Sequence, residues 1–114
     1  MNRLLPALLA LMCASAGARA LVPDIAINET QTLQYLCDSG KPLKVHYLTG
    51  HNEQHFALLA ATPGKPLLFV QTIAASGVKY QADRYVWWTK GTQGDLYDMS
   101  RGPDAAPIRT CRSD

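Results

Sequence analysis

The sequence lacks most of the features that identify a common enzyme or a metalloprotein. Its 114 residues include only three cysteines and three histidines. No two cysteines have the close spacing of a zinc site, and no serine lies in a G-x-S-x-G nucleophile elbow. His46, His51 and His55 lie near one predicted hairpin, with Glu53 as the acidic residue close by. A metal site on these residues and a serine hydrolase are therefore the weaker alternatives, and we predict neither a metal nor a cofactor.

The beginning of the chain, MNRLLPALLALMCASAGARA, has the pattern of a secretory signal peptide over residues 1–20. Arg3 supplies the positive start, residues 4–16 are largely apolar, and Ala18-Arg19-Ala20 fits an A-x-A cleavage site. The apolar run is too short for a membrane-spanning helix. The sequence therefore predicts export to the periplasm and one small mature domain over residues 21–114.

Cys13 leaves an alternative open, because a cysteine at the end of an apolar leader can be a lipid-attachment site. The residues before it, Leu11 and Met12, are a poor match to a lipoprotein signal, which has a small residue at the second of these positions. The alternative to a soluble periplasmic protein is an outer-membrane lipoprotein anchored at Cys13. Contact with a membrane is expected only in that case.

An excess of either charge is also missing from the predicted mature domain. Of the 11 basic residues, Arg3 and Arg19 belong to the leader, which leaves 9 against 9 acidic residues. A neutral chain without a run of basic residues argues against a nucleic-acid partner.

The mature sequence has a period of two in its apolar residues, interrupted by turn clusters rich in Gly, Pro, Asn and Asp. This pattern predicts an all-β fold, a small eight-stranded antiparallel up-and-down barrel closed by a disulfide. Residues 53–61 fit a strand better than the alternative short helix that Asn52 would cap. Residues 21–30 are expected to be a loosely held lead-in. The predicted strands lie near residues 32–37, 43–48, 55–60, 67–73, 78–81, 85–89, 95–99 and 107–111.

Cys37 and Cys111 remain after cleavage of the leader, and in an oxidising compartment they are expected to pair with each other. The bond would tie the first strand to the last, where the barrel closes. Because Cys37 ends its predicted strand and Cys111 lies late in its own, we expect the last strand to be shifted in register.

Two turns of the predicted barrel carry polar side chains, each followed by glycine. In an up-and-down arrangement alternate loops lie at the same end, so Ser76 and Lys90 are expected side by side there, together with residues 49–54. Gly77 and Gly91 permit a tight backbone. The alternative is that Ser76-Gly77 and Lys90-Gly91 are ordinary turns, since both dipeptides are common. A periplasmic barrel that carries a small ligand is the alternative function, although eight short strands usually fill their interior with side chains.

The two turns resemble motifs of the bacterial inhibitors of c-type lysozyme, periplasmic and membrane-bound. SGVKY at 76–80 resembles SGxxY, and WWTKG at 87–91 resembles YxxKG with Trp87 in place of the tyrosine. The resemblance implies an inhibitor and not an enzyme, with c-type lysozyme as its protein partner.

The resemblance also implies roles for individual residues. Ser76 and Lys90 would enter the active-site cleft, while Gly77, Tyr80 and Gly91 would shape the two loops. The presence of Trp87 in place of tyrosine matters little if the ring only supports the loop, and it matters if a tyrosine hydroxyl is needed there. The expected target is strongly basic and the mature chain neutral, so Glu53 and Asp95 are the acidic residues near this end that would complement it.

Overall fold

The computed structural model describes residues 25–114, and the predicted signal peptide and Cys13 lie outside them. The described chain forms eight strands in an unbroken antiparallel meander that closes into a barrel, as the sequence predicts. A short 3-10 helix at Met99–Arg101 follows the seventh strand. The strands are β1 (Ile27–Cys37), β2 (Pro42–Gly50), β3 (His55–Thr62), β4 (Lys65–Thr72), β5 (Val78–Ala82), β6 (Tyr85–Lys90), β7 (Gln93–Asp98) and β8 (Arg109–Ser113).

The two ends of the chain depart from the expected strand bounds. The expected loose lead-in is wrong for residues 27–30, because β1 begins at Ile27 and pairs with β2 as far as Gly50. These residues are exposed and mostly polar, and they form a strand through backbone pairing with β2. Such a strand shows no apolar periodicity in the sequence. The last strand begins at Arg109, two residues later than predicted.

The closing seam between β1 and β8 is short and carries the disulfide. Only three residue pairs join the two strands, Tyr35↔Ser113, Leu36↔Arg112 and Cys37↔Cys111. The cysteines are direct partners and form the predicted bond. Cys37 ends β1 and Cys111 is the third residue of β8, so the last strand is offset by two residues, a smaller offset than the predicted strand bounds require.

The interior of the barrel is filled by large side chains from all around the sheet. Trp87, Phe69, Leu96 and Val45 are each fully buried, and Leu59 is nearly so. In a carrier of small ligands, the space that these inward-facing side chains fill would be free for the ligand. The alternating apolar residues therefore build a packed core, and the described barrel has the filled interior expected of eight short strands.

Polar groups inside the barrel satisfy one another around Trp87. Its indole nitrogen donates a hydrogen bond of 2.9 Å to the Tyr47 hydroxyl, which shares a second bond of 2.7 Å with the Tyr35 hydroxyl. Burial raises the pKa of Tyr47 and also those of Tyr35 and Tyr80, so these phenols stay protonated at physiological pH. The replacement of a motif tyrosine by Trp87 thus occurs in the core, where the indole N–H has a partner.

Gly94 on β7 makes room for the Trp87 ring. A Cβ at this position would overlap the ring carbons Cζ2 and Cη2 of Trp87, which is fully buried and has no space to move. We expect Gly94→Ala to lower the free energy of unfolding by about 1–3 kcal/mol, the usual cost of overpacking a core. Denaturant unfolding of the purified domain measures this difference.

Gly64→Ala is the matched control for that measurement. Gly64 has a φ of +81° but open space around a Cβ, so its substitution has only the conformational cost of alanine in the left-handed region, about 1 kcal/mol. Parent-like stability of Gly94→Ala would show that the Trp87 ring has another position available.

Candidate functional site

Three short loops lie together at one end of the barrel. They connect β2 to β3 (residues 51–54), β4 to β5 (residues 73–77) and β6 to β7 (residues 91–92), which the meander places at the same end. Ser76 is exposed in the second of these loops, and Lys90 is exposed on the last residue of β6. The structure thus brings together the two side chains that the sequence analysis placed at one end.

Trp88 connects the two loops on the outer face of the sheet. Its indole nitrogen donates a hydrogen bond of 2.8 Å to the Ser76 carbonyl oxygen. The Lys90 ammonium lies 4.8 Å from the centre of the same indole ring, within the range of a cation–π contact. One aromatic side chain therefore fixes the backbone of the serine loop and holds the lysine beside it.

Gly77 lets these two loops approach each other closely. A Cβ at Gly77 would overlap the Thr89 carbonyl oxygen and would lie 2.7 Å from Lys90 Cγ. Its φ of +68° also disfavours any other residue. Gly91 has a φ of +59°, which the turn requires, and open space around it.

Tyr80 and Trp87 belong to the core beneath the loops and not to the exposed end. Tyr80 is 7% exposed, and its ring centre lies 5.7 Å from that of Tyr47. Trp87 packs edge-on against Tyr35 with the ring centres 5.1 Å apart. Both rings are thus packed in the core beneath the loops.

Trp88 and Lys79 are the residues near this site that sequence reasoning did not assign to it. Lys79 pairs in register with Trp88, and its ammonium lies 4.9 Å from the centre of the indole ring. The alternation of side chains along β6 places Trp88 and Lys90 on one face, so their contact could be predicted from the sequence. The hydrogen bond to Ser76 has no such signal, because it depends on the register between β5 and β6.

Acidic side chains lie on two sides of this end. Asp95 is partly buried on the outer face of β7, where it accepts a hydrogen bond of 3.2 Å from the Gln93 amide. Glu53 is exposed in the loop between β2 and β3. Both fall where the sequence analysis expected local negative charge.

The opposite end of the barrel has a structural ion pair. Asp98 accepts hydrogen bonds from the Ser100 hydroxyl and backbone, which lower the pKa of its carboxyl group, with Arg84 at 3.4 Å adding to the effect. These contacts cap the 3-10 helix and hold the connection to β8. They account for the shifted carboxylate without a functional role.

The histidines near the loops are engaged separately. His46 hydrogen-bonds to Thr32 and His55 lies 3.5 Å from the Thr49 hydroxyl. Within residues 25–114, no three His, Cys, Asp or Glu side chains come close enough to hold a metal ion.

The same part of the chain contains no helix that is long and apolar enough to cross a membrane.

The described chain is a small closed barrel with a filled interior and two interconnected loops at one end. The chain belongs to the family described as membrane-bound lysozyme inhibitor of c-type lysozyme, whose sequence model matches residues 35–105. This is a family of protein inhibitors and not of enzymes.

Named relatives and solved structures agree with this assignment. A membrane-bound lysozyme inhibitor of C-type lysozyme from Cupriavidus necator is 39% identical, covering 94% of this chain and 88% of the relative. The relative of the same name from Pseudomonas aeruginosa is 32% identical over 80% of this chain and 71% of its own.

Two solved structures share the fold. The crystal structure of Pseudomonas aeruginosa MliC in complex with hen egg white lysozyme has a TM-score of 0.64 and 29% identity, covering 90% of this chain and all of that one. The periplasmic inhibitor PliC from Salmonella typhimurium has a TM-score of 0.63 at 23% identity, covering 75% of this chain and 99% of that one.

Proposed function

We propose that this protein inhibits c-type lysozyme by inserting the Ser76 and Lys90 loops into the active-site cleft of the enzyme, which protects peptidoglycan. The observation that carries the proposal is the link through Trp88, which contacts Ser76 and Lys90 at 2.8 and 4.8 Å. The naming of the relatives as lysozyme inhibitors supports the same target.

The chemistry of the two side chains fits the catalytic groups of such an enzyme. Lysozyme, the type case of a retaining glycosidase, keeps one carboxyl group protonated and one ionised. A serine hydroxyl can accept a hydrogen bond from the first and donate one to the second. The Lys90 ammonium adds a charge-assisted hydrogen bond to the ionised group.

Rigid loops make this binding mode efficient. Ordering a flexible loop on binding costs free energy, and a loop already held in place avoids that cost. Trp88 and Gly77 hold the serine loop against β6 before any partner arrives. The serine loop would therefore bind without first having to be ordered.

Ser76→Ala and Lys90→Ala test the proposal directly. We expect each to weaken inhibition of hen egg white lysozyme by roughly ten- to a hundredfold, since each removes one hydrogen-bonding group from a desolvated cleft. The double variant should be non-additive if both side chains contact the same pair of carboxyl groups. Inhibition constants from a lytic assay, with thermal midpoints for each variant, provide the measurement.

Lys41→Ala is the control for these variants. Lys41 is an exposed lysine in the turn between β1 and β2, at the opposite end of the barrel. It should inhibit like the parent. Parent-like inhibition by both Ser76→Ala and Lys90→Ala, with unchanged midpoints, would rule out the two-loop insertion.

The site of action follows from the predicted leader. We propose export to the periplasm after cleavage at Ala20, with lipid attachment at Cys13 as the alternative route to the outer membrane. The A-x-A pattern and the poor residues before Cys13 support the first. In either case the barrel would face the peptidoglycan that a lysozyme attacks.

A further inference from the structure

A groove lies beside the serine loop, between the loop that joins β2 to β3 and the loop that joins β4 to β5. It has a volume of about 540 Å³ and includes Glu53, His55, Val70, Ile73, Ala74 and Gly77 in its lining. Gly77 belongs both to this groove and to the loop that carries Ser76. A protein that contacts Ser76 would therefore lie next to the groove.

One wall of the groove is apolar and open to water. Ile73 is 94% exposed, more than any other large apolar side chain of the described residues, and Val70 is 37% exposed. Neither side chain belongs to the buried core of the barrel. Single exposed apolar residues are common, but these two line the same groove beside the proposed contact loops. They offer an apolar surface to whatever occupies it.

The other wall carries a carboxylate. Glu53 is the one acidic residue that lines the groove, and it forms no ion pair with any cation of residues 25–114. Its φ is +68°, in the left-handed region that glutamate seldom adopts and glycine or asparagine adopts readily. Glu53 therefore has a strained backbone conformation, and such strain occurs preferentially at functional sites.

We propose that this groove is a second contact site for the lysozyme, which binds an arginine or lysine side chain of the enzyme beside its cleft. The proposal rests on the proposed function. A long cationic side chain has an aliphatic stem and a charged head. The stem would lie along Ile73 and Val70, and the head would reach the Glu53 carboxylate. The Ser76 and Lys90 loops would then provide inhibition, and the groove would select among lysozymes by their surface cations.

Glu53→Gln and Ile73→Ala test the acidic and the apolar wall of the groove separately. Removing a charge at the edge of an interface mainly slows association and reduces its salt dependence, so Glu53→Gln should slow binding of hen egg white lysozyme by about three- to tenfold at low salt. The difference from the parent should shrink at high salt. Ile73→Ala should instead raise the dissociation rate by about three- to tenfold, with little dependence on salt. Both the association and the dissociation rate are obtained by following the binding of dissolved enzyme to surface-immobilised inhibitor at two ionic strengths.

Asp83→Asn is the matched control, because Asp83 is also an exposed acid with a positive φ, +53°, but lies in the turn between β5 and β6 at the opposite end. It should leave both rates unchanged. Glu53→Gly separates binding from folding. It removes the backbone strain, so the thermal midpoint should stay or rise while association slows.

The outcomes distinguish this proposal from the one on which it rests. Parent-like rates for both Glu53→Gln and Ile73→Ala, with binding weakened in Ser76→Ala, would overturn the groove and leave the two-loop insertion intact. An equal slowing in Asp83→Asn would also overturn it, because the effect would then come from total charge. A parent protein that fails to bind the enzyme would overturn both proposals.

Discussion

Gly77→Ala is expected to reduce lysozyme inhibition by at least about a hundredfold, the largest functional effect of a single substitution in this protein. The added Cβ would overlap the Thr89 carbonyl oxygen and approach Lys90 Cγ to 2.7 Å. The loop must then move away from β6, which carries Ser76 out of position and disturbs Lys90 as well. Two contacts worth about 1.5–3 kcal/mol each would be weakened together.

Gly91→Ala is the control for this substitution, since Gly91 also has a positive φ but leaves space for a Cβ. It should weaken inhibition only a few-fold, through the conformational cost of alanine in the left-handed region, about 1 kcal/mol. Inhibition constants and thermal midpoints of both variants are compared with the parent. Equal effects of the two substitutions would show that close contact between the loops is unimportant for inhibition.

Removal of the disulfide is expected to have the largest effect on stability. The bond joins residues 74 apart in sequence, and for such a loop the chain-entropy model gives about 4 kcal/mol, within the 2–5 kcal/mol typical of native bonds. It also reinforces a seam of three residue pairs. The double variant Cys37→Ser/Cys111→Ser should therefore lose about 2–5 kcal/mol in the free energy of unfolding, a large share of the total for a small domain.

Denaturant unfolding of this variant and of the parent, oxidised and reduced, measures the effect. The reduced parent should match the double variant, because both lack only the cross-link. Intact masses after thiol alkylation report whether Cys37 and Cys111 are paired, and the same spectra show whether the chain starts at Leu21 or at a lipidated Cys13. Equal unfolding free energies for oxidised and reduced parent would show that the seam closes without the bond.

The sequence predicts most of this architecture because its strongest signals are local. Alternation of apolar residues identifies the strands, and glycine-rich turns divide them at positions close to those observed. The order of strands in a meander then fixes which loops lie together. Ser76 and Lys90 could be placed at one end on this basis alone.

The contacts within the site could not be predicted in the same way. The bond from Trp88 to the Ser76 carbonyl depends on β5–β6 register, in which Val78 lies opposite Thr89. The space that Gly94 leaves for Trp87 likewise depends on how two strands face each other. The start of β1 at Ile27 was missed because backbone pairing of exposed polar residues has no apolar pattern.

The position of the disulfide on the seam has a consequence for the order of events during biosynthesis. A chain that emerges with its N-terminus first presents Cys37 long before β8 appears, since Cys111 follows 74 residues later. Strands β1 to β7 can pair in succession as they emerge, because each neighbours the next. The native partner of the Cys37 thiol is therefore available only once the final strand has arrived, so this disulfide cannot guide the earlier pairing of β1 to β7.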